Sequence, residues 1–342
     1  MLVLGIETSC DETAAALVAD GTVVRSNVIG SQVERHRPYG GVVPEVAARA
    51  HLDLLLPVLD RTLVEGGARY SDLDGIAVTR GPGLVSALLV GLAAAKSLAL
   101  AGDTPLIGVN HLEGHIYATQ LEYGLLEPPI ITLLMSGGHT SIALLDEGGT
   151  FETIGQTVDD AAGEAFDKIA RFLGLDYPGG PEIDKVSRDG DPTAIRFPRA
   201  MAGSFDFSLS GLKTAVIREL RRQEAAGEHL DLPSVAASFQ EAIVDVAVDK
   251  TVRAALSRGV EQIAVAGGVA ANSRLRARMV EACEKEGLRL LTPSPALCTD
   301  NGAMIAAAGY NRLVQGQRST DDLGVDPSLT LESSGSPGGG QG

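Results

Sequence analysis

The sequence predicts an α/β fold built from two copies of one unit, each running βββαβαβα, as two duplicated domains flanking a cleft. Two observations carry this. Strand-length apolar runs and longer segments with helical apolar spacing recur in the same order in both halves of the chain. Glycine turns recur at matching places in the two copies. Identity between the copies is weak, so the order of elements is the evidence. The first domain is assigned to residues 1–125 and the second to 126–330, with an insertion from about 157 to 233.

In chain order, Val3 to Ile6 is a short apolar strand, and Glu7-Thr8-Ser9-Cys10-Asp11-Glu12-Thr13 is a polar turn. Ala14 to Val18 and Thr22 to Val28, separated by Asp20-Gly21, complete a three-strand meander. From Pro44 to Val64 the apolar residues Val46, Ala47, Ala50, Leu54, Val58 and Leu59 fall at helical spacing. Pro44 suits the first turn of that helix and Gly66-Gly67 its end. Gly75 to Thr79 is a buried strand, Gly81-Pro82-Gly83 a tight loop, Val85 to Ala101 a buried helix and Leu106 to Val109 another strand.

The second copy begins with a strand at Ile130 to Leu134. A glycine turn follows at Ser136-Gly137-Gly138-His139-Thr140, then strands at Ser141 to Leu145 and Phe151 to Ile154. Within the insertion, Asp160 to Leu173 reads as a helix and Tyr177-Pro178-Gly179-Gly180-Pro181 as a turn. Ser234 to Leu256 is a long helix, Gln262 to Ala266 a strand and Gly267 to Asn272 a glycine loop. A helix from Arg274 to Glu286, a strand from Leu288 to Leu291 and a final helix from Asp300 to Val314 close the copy. The Ser/Gly/Pro run at 333–342 is expected to be disordered.

Bulk properties restrict the function. The 342 residues with 44% hydrophobic content suit two domains of ordinary size. No apolar run reaches the roughly 20 residues needed to span a bilayer, and no signal peptide opens the sequence. Three scattered cysteines, Cys10, Cys283 and Cys298, argue for a reducing, cytoplasmic setting rather than a disulfide framework. The net charge of −16 opposes unaided binding to nucleic acid, though arginines cluster at 35–37, 196–199, 218–222 and 274–278.

Asn110-His111-Leu112-Glu113-Gly114-His115 holds two of the six histidines, four residues apart. On a helix they share one face and can chelate one metal ion. The pattern differs from the zinc-protease helix H-E-x-x-H, because Glu113 follows His111 by two. That offset rotates it by roughly 200°, away from the metal face and out of reach of a general-base role. Two polar histidines at a helix start, with no metal, is the plainer alternative on spacing alone. The glycine turns offer backbone N–H groups to a phosphate, which points to a nucleotide in the cleft; plain hairpins use the same turns.

Several longer motifs resemble one family. They are Gly5-Ile6-Glu7-Thr8-Ser9-Cys10-Asp11-Glu12-Thr13, Gly40-Gly41-Val42-Val43-Pro44-Glu45, Arg80-Gly81-Pro82-Gly83-Leu84, the histidine segment and Ser136-Gly137-Gly138-His139-Thr140. Gly163-Glu164-Ala165-Phe166-Asp167-Lys168, Phe207-Ser208 with Ser210-Gly211-Leu212-Lys213, Ala266 to Asn272, and Cys298-Thr299-Asp300-Asn301-Gly302-Ala303-Met304 complete the set. Together they resemble TsaD, the tRNA threonylcarbamoyladenosine synthesis enzymes once described as O-sialoglycoprotein endopeptidases. The resemblance runs from residue 5 to 304. It implies an actin-like, Hsp70-like ATPase fold of two RNase H-like halves.

It also implies transfer of a threonylcarbamoyl group from threonylcarbamoyl-AMP to the exocyclic amine of the adenosine beside the anticodon, in tRNAs reading codons that begin with A. One Fe2+, with Zn2+ as an alternative, is implied at His111, His115 and Asp300. Substrate-binding positions carry over to Met135, Ser136, Gly137, Gly138, His139, Asp167, Gly180, Asp184 and Asn272, with ATP or an adenylate in the cleft. Of Asp11 and Glu12, one is expected to help deprotonate or orient the attacking amine, with polarisation of the carbamoyl carbonyl by the metal as the main effect. Each position also has a structural use: Asn272 or Asp300 as a helix N-cap, Asp167 in an ion pair with Arg171, the 135–139 turn as a hairpin. The implied partners are tRNA, a paralogue called TsaB and a P-loop ATPase called TsaE, with no membrane. A helical surface at Pro44 to Val64 or Val85 to Ala101 is expected to dock the paralogue. The alternatives are an actin-like ATP-binding regulatory module, which has no use for the two histidines and Asp300, and a metalloprotease, which the position of Glu113 disfavours.

Overall fold

The computed structural model of the chain describes residues 1–227 and 231–332, so the tail expected to be disordered lies outside the described residues. The chain forms two compact units. One comprises Met1–Glu127, Gly148–Phe151 and Ala296–Gly342, the other Pro128–Glu147 and Glu152–Pro295.

The first unit is built on β1 (Leu2–Glu7), β2 (Glu12–Ala19), β3 (Val23–Ser31), β4 (Gly75–Gly81) and β5 (Leu106–Asn110), in the order β3-β2-β1-β4-β5. The β1–β2 and β2–β3 pairs are antiparallel; β1–β4 and β4–β5 are parallel. Parallel neighbours need long crossovers. These carry α1 (Val33–His36) and α2 (Pro44–Gly66) between β3 and β4, and α3 (Val85–Gly102) between β4 and β5. Two short helices, α4 (His111–Tyr117) and α5 (Gln120–Tyr123), follow β5.

Alternate residues of β1 serve the two faces of this sheet. Leu2, Leu4 and Ile6 join Leu55, Leu59 and Leu63 of α2 and Leu92 and Ala95 of α3 in one core. Val3 joins Ala16, Val18, Ile107 and Val109 in the other, which is closed by Met304, Ala306 and Ala308 of α12 (Gly302–Val314). The boundary at 126–330 put this last helix in the second domain. It packs in the first unit instead, because it supplies the apolar face that covers the β1–β4–β5 side. Two glycines allow the contact. A Cβ on Gly5 would meet the Gly302 carbonyl and the Ala306 amide, and a Cβ on Gly302 would meet the backbone of Ala15 and Ala16.

The second unit repeats the plan. β6 (Ile130–Met135), β7 (Thr140–Leu145), β8 (Phe151–Gln156), β9 (Gln262–Ala266) and β10 (Arg289–Leu291) are ordered β10-β9-β6-β7-β8. That is the first sheet's order element for element, with β6–β7 antiparallel and β6–β9 parallel. Its helices are α6 (Ala162–Phe172), α7 (Gly179–Ser187), α8 (Ser210–Ala226), α9 (Leu232–Arg258) and α10 (Ser273–Glu286); the short α11 (Pro295–Cys298) starts on its last residue and otherwise belongs to the first unit.

Three sequence expectations need correction. The insertion holds three helices, not one. Gly179-Gly180-Pro181, read as a turn, is the first turn of α7, where proline costs no hydrogen bond. α8 escaped notice because it buries only Leu212 and Val216. The helix at Val85–Gly102 is half-open rather than buried: Ala87, Leu88, Leu92 and Ala95 face the core, but Leu100 is 86% exposed. Among the described residues it is the one helix long and apolar enough to cross a membrane.

Candidate active site

The histidine segment opens a helix, as its spacing requires. Asn110 caps α4 by accepting a hydrogen bond from the Leu112 amide at 2.9 Å. His111 and His115 then fall one turn apart on one face, both buried. Asp300 comes from the loop before α12, whose seat on β1 is set by Gly5 and Gly302. Its Oδ1 lies 3.6 Å from His111 Nε2 and 3.2 Å from His115 Nε2. The three ligand atoms lie within 4.8 Å of one another. Such spacings suit neighbouring donors around one ion at bond lengths of about 2.1 Å.

The surroundings fit that use. His111 Nδ1 lies 3.0 Å from Glu7 Oε2 and 3.2 Å from Ser9 Oγ. A buried carboxylate accepts there, so Nδ1 carries a proton and Nε2 is the nitrogen left to face Asp300, free to ligate an ion once its own proton is lost. Glu7 is itself oriented by Thr79 Oγ1 at 2.6 Å and by the Ser9 amide. Burial works against its charge, but His111 holds its carboxyl below the usual range. Burial likewise opposes charge on His111, and the Asp300 and Glu7 carboxylates outweigh it, raising the imidazole to about 9. Neither ring nitrogen of His115 makes a hydrogen bond, although the ring is buried. A buried imidazole with no hydrogen bond of its own, facing a carboxylate and a second, oriented imidazole, fits the donor set of a metal site.

Two structural alternatives separate here. Asp300 is not the cap of α12; Asn301 is, accepting from the Met304 amide at 3.0 Å. Glu113 turns away, as its offset predicts, and forms a buried ion pair with Arg312 at 2.6 Å. It is therefore committed elsewhere and serves no protease role.

Asp11 and Glu12 occupy the β1–β2 turn of the same unit. Burial and then the Asp300 charge raise the Asp11 carboxyl. Burial, together with Asp11 and Asp300, pushes Glu12 up to about 7, against the lowering effect of Ser31. Ser31 Oγ donates to Glu12 Oε1 at 2.8 Å, while Oε2 is enclosed with no hydrogen-bond partner. A carboxylate titrating near neutrality with one free oxygen is suited to accept a proton.

The remaining predicted positions gather along one side of the second unit. Met135 ends β6 fully buried, so only its backbone is offered. The turn that follows is closed by the Ser136 amide donating to the His139 carbonyl at 2.8 Å. Gly163 of α6 donates to the Ser136 carbonyl, which fixes the turn against that helix. Gly137 and Gly138 are exposed, and a Cβ on either would meet nothing within 4 Å. Asp167 does not pair with Arg171 through its Oδ1, which accepts from the Gly179 amide at 2.7 Å and so ties α6 to α7. Gly180 lies open in the first turn of α7.

Asp184 and Asn272 are more occupied than their assigned roles require. Asp184 Oδ1 accepts from both the amide and hydroxyl of Ser273, at 3.1 and 2.8 Å. Asn272 caps α10 through Leu275 and donates to Gln240 Oε1 at 2.7 Å. Both thus build the rim before they could bind anything. The arginines at 274 and 278 are likewise engaged, by Glu241 and Asp245. The residues that sequence reasoning missed are Glu7 and Gln240. Glu7 had a signal: a glutamate ending a wholly apolar strand. Gln240, in the middle of a long helix, had none.

The family model TsaD: tRNA N6-adenosine threonylcarbamoyltransferase matches residues 23–307. A Clostridium botulinum protein named tRNA N6-adenosine threonylcarbamoyltransferase is 53% identical over 331 residues, covering 96% of this chain and 97% of that protein. A protein of the same name from Symbiobacterium thermophilum is 54% identical with the same coverage. Among solved structures, T. kodakarensis HypF aligns with a TM-score of 0.63 at 16% identity, over 92% of this chain and 48% of that one. Component A of the Acidaminococcus fermentans (R)-2-hydroxyglutaryl-CoA dehydratase aligns at 0.53 and 15% identity, over 92% and 99%. At these identities the two alignments show the actin-like ATPase fold alone. On the family match and the near-complete relatives, the chain belongs to the TsaD family of tRNA N6-adenosine threonylcarbamoyltransferases.

Proposed function

We propose that this chain transfers the threonylcarbamoyl group of threonylcarbamoyl-AMP to the exocyclic amine of the adenosine beside the anticodon, in tRNAs reading codons that begin with A. The observation that carries the reading is the His111, His115 and Asp300 set, its two imidazoles buried, with Glu7 orienting His111. An actin-like nucleotide module has no need of it.

His111 Nε2, His115 Nε2 and Asp300 hold one ion, and two imidazoles with one carboxylate suit Fe2+, with Zn2+ as the alternative. When bound, that ion acts as a Lewis acid on a carbonyl oxygen. The chain's own groups do the rest. Glu12, with Asp11 beside it, takes the proton that the amine loses as its nitrogen bonds to the carbamoyl carbon and AMP departs. The amides of Gly137 and Gly138 and the first turn of α7 at Gly180 receive the phosphate of the adenylate or of ATP. Asp167, Asp184 and Asn272 support that rim and contact the ligand with whatever hydrogen-bonding capacity their structural partners leave.

The reaction uses tRNA as acceptor and, as in the family, a paralogue of the TsaB type and a P-loop ATPase of the TsaE type, in the cytoplasm. The open apolar residues Leu52 and Leu56 of α2 and Leu89 and Leu100 of α3 support paralogue docking on that face. The test is transfer of labelled threonine into unmodified tRNA, with partners, an adenylate generator and iron, for wild type beside Asp300→Ala. Label beside the anticodon, lost in the variant, is expected. Label in neither, with partners proved competent by a known enzyme, sinks the transferase reading.

A further inference from the structure

Two buried histidines outside the metal set are threaded on one hydrogen-bond chain. His36, His51, Gln32 and Thr13 have no exposed surface. The Val43 amide donates to His36 Nδ1 at 3.3 Å, so Nδ1 is the acceptor and His36 Nε2 the donor, to Gln32 Oε1 at 3.2 Å. That contact orients the Gln32 amide. Its Nε2 then faces Thr13 Oγ1 and His51 Nδ1, each at 3.3 Å. Thr13 Oγ1 also reaches His51 Nδ1, at 2.8 Å. His51 Nδ1 must therefore accept, and His51 Nε2 donates to the Cys10 carbonyl at 2.9 Å.

Each donor and acceptor role follows from the one before, and each imidazole serves as neutral acceptor at one nitrogen and donor at the other. Burial, the largest influence on His51, holds it below the ordinary histidine range, in keeping with a neutral ring. The two ends of the chain matter. One is the strap at 32–43, which includes α1 and the open Tyr39-Gly40-Gly41 segment. The other is the carbonyl immediately before Asp11, in the turn that carries both proposed proton acceptors. A second bond runs parallel: the Gln32 backbone N–H donates to the Asp11 carbonyl at 3.1 Å.

We propose that His51 is a positioning residue for the Asp11–Glu12 turn, coupling its geometry to docking of the 32–43 strap through Gln32 and His36. The proposal rests on the reading above that this turn handles the amine proton. When the strap is docked, the Cys10 carbonyl is clamped from behind and the carboxylates are held in place. When it lifts, Gln32 loses its orientation and the turn loses its clamp. His51 touches no reacting atom; it acts through backbone.

Two substitutions divide the imidazole into its halves. In His51→Asn the amide oxygen replaces Nδ1, keeping the Thr13 and Gln32 contacts and abandoning Cys10. In His51→Gln the longer amide sets an N–H near the Nε2 position and keeps the Cys10 bond. The expected result is a fall in kcat of about 10²-fold for His51→Asn with KM for tRNA unchanged, and substantial recovery in His51→Gln. Thermal midpoints of both are recorded beside the rates. Hydrogen–deuterium exchange supplies a readout free of activity: residues 10–12 should exchange faster in His51→Asn, which abandons Cys10, and residues 33–43 faster in His51→Gln, which abandons Gln32, with 10–12 there close to wild type. Equal loss of kcat in both variants with equal loss of thermal stability would reduce His51 to a structural residue and overturn the proposal. So would wild-type rates in both, a change confined to KM, or unchanged exchange of 10–12 in His51→Asn or of 33–43 in His51→Gln. If wild type transfers nothing, the functional reading fails, and the exchange data still decide whether strap and turn are coupled.

Discussion

The 3.0 Å hydrogen bond from His111 Nδ1 to Glu7 Oε2 decides which nitrogen of His111 faces Asp300. A ring left to rotate would present either nitrogen, or a proton, to the ion. With Nδ1 committed, Nε2 is the only nitrogen that can give up its proton and ligate an ion. Glu7→Gln keeps an acceptor but removes the charge that makes the imidazole a better donor to metal. The expected outcome is a 10- to 100-fold weaker metal affinity with an intact fold, read by competition with a chelator. Unchanged affinity would show that Glu7 merely fills the core.

Asp300 and Asn301 are neighbours with opposite predicted phenotypes. Asn301 caps α12, so Asn301→Ala should lower stability by about 1 kcal/mol while the metal set survives. Asp300→Ala removes a partly buried carboxylate that is not the cap of α12, so the denaturation midpoint should move less than in Asn301→Ala and metal binding should be lost. Denaturant titration and metal titration of the two variants check both halves. A large stability loss in Asp300→Ala with metal binding retained would reverse the assignment.

Glu12 supplies a pH prediction. Its folded value near 7 lies above the ordinary 4.5, because burial and neighbouring carboxylates disfavour its charge. As a proton acceptor it must be ionised, so transfer should rise with pH through about 7 and level off above it. Glu12→Gln should flatten that limb at a low rate. The same shift has a stability sign. A raised folded value favours the protonated form, so the stability it contributes is present below the unfolded value and is lost as pH rises through about 7. Glu12→Gln should therefore be more stable than wild type at pH 8, with the gap closing toward pH 4. Melting curves at the two pH values test this apart from the kinetics.

Gly5 is a stability prediction. Its Cα sits under the start of α12, and a methyl group there would push against the Gly302 carbonyl, the Ala306 amide and the Ala306 Cβ, none of which can swing aside. Gly5→Ala should cost about 3 kcal/mol, the upper range for overpacking, and should displace Asp300 along with the helix. Loss of metal affinity out of proportion to the loss of stability is the expected signature; a chelator competition run beside denaturation measures both.

How much of this was legible in the sequence depends on burial. The doubled order of strands was readable because buried strands are continuous apolar runs, and both sheets repeat one order. The histidine pair was readable because four-residue spacing on a helix is a geometric statement. The place of α12 was not, since an apolar face does not say which sheet it will cover. α8 was hidden by its solvated surface, and α7 by two glycines and a proline that also spell a turn. Asp184 and Asn272 look like ligand contacts in sequence, yet their side chains first hold the start of α10 together. That dual use is invisible until the fold brings residue 184 to residue 273.

The glycine turn after β6 yields a contrast between two small changes. Gly138 faces open space at ordinary backbone angles, so Gly138→Ala should leave stability within about 0.5 kcal/mol of wild type. Gly163, in the first turn of α6, would gain helix propensity as alanine. Its methyl would nevertheless lie 2.7 Å from the Ser136 carbonyl oxygen and from Gly137 Cα, both backbone atoms of the turn. The turn must therefore shift, and the hydrogen bond from the Gly163 amide to Ser136 must lengthen or break. If the Gly137 and Gly138 amides receive a phosphate, Gly163→Ala should weaken nucleotide binding although residue 163 contacts no ligand, while Gly138→Ala weakens it only through local bulk. Calorimetric titration with ATP, run beside thermal melts, separates the cases. Undiminished nucleotide affinity in a folded Gly163→Ala variant would remove the 136–139 turn from the site and leave the first turn of α7 as the phosphate-binding element.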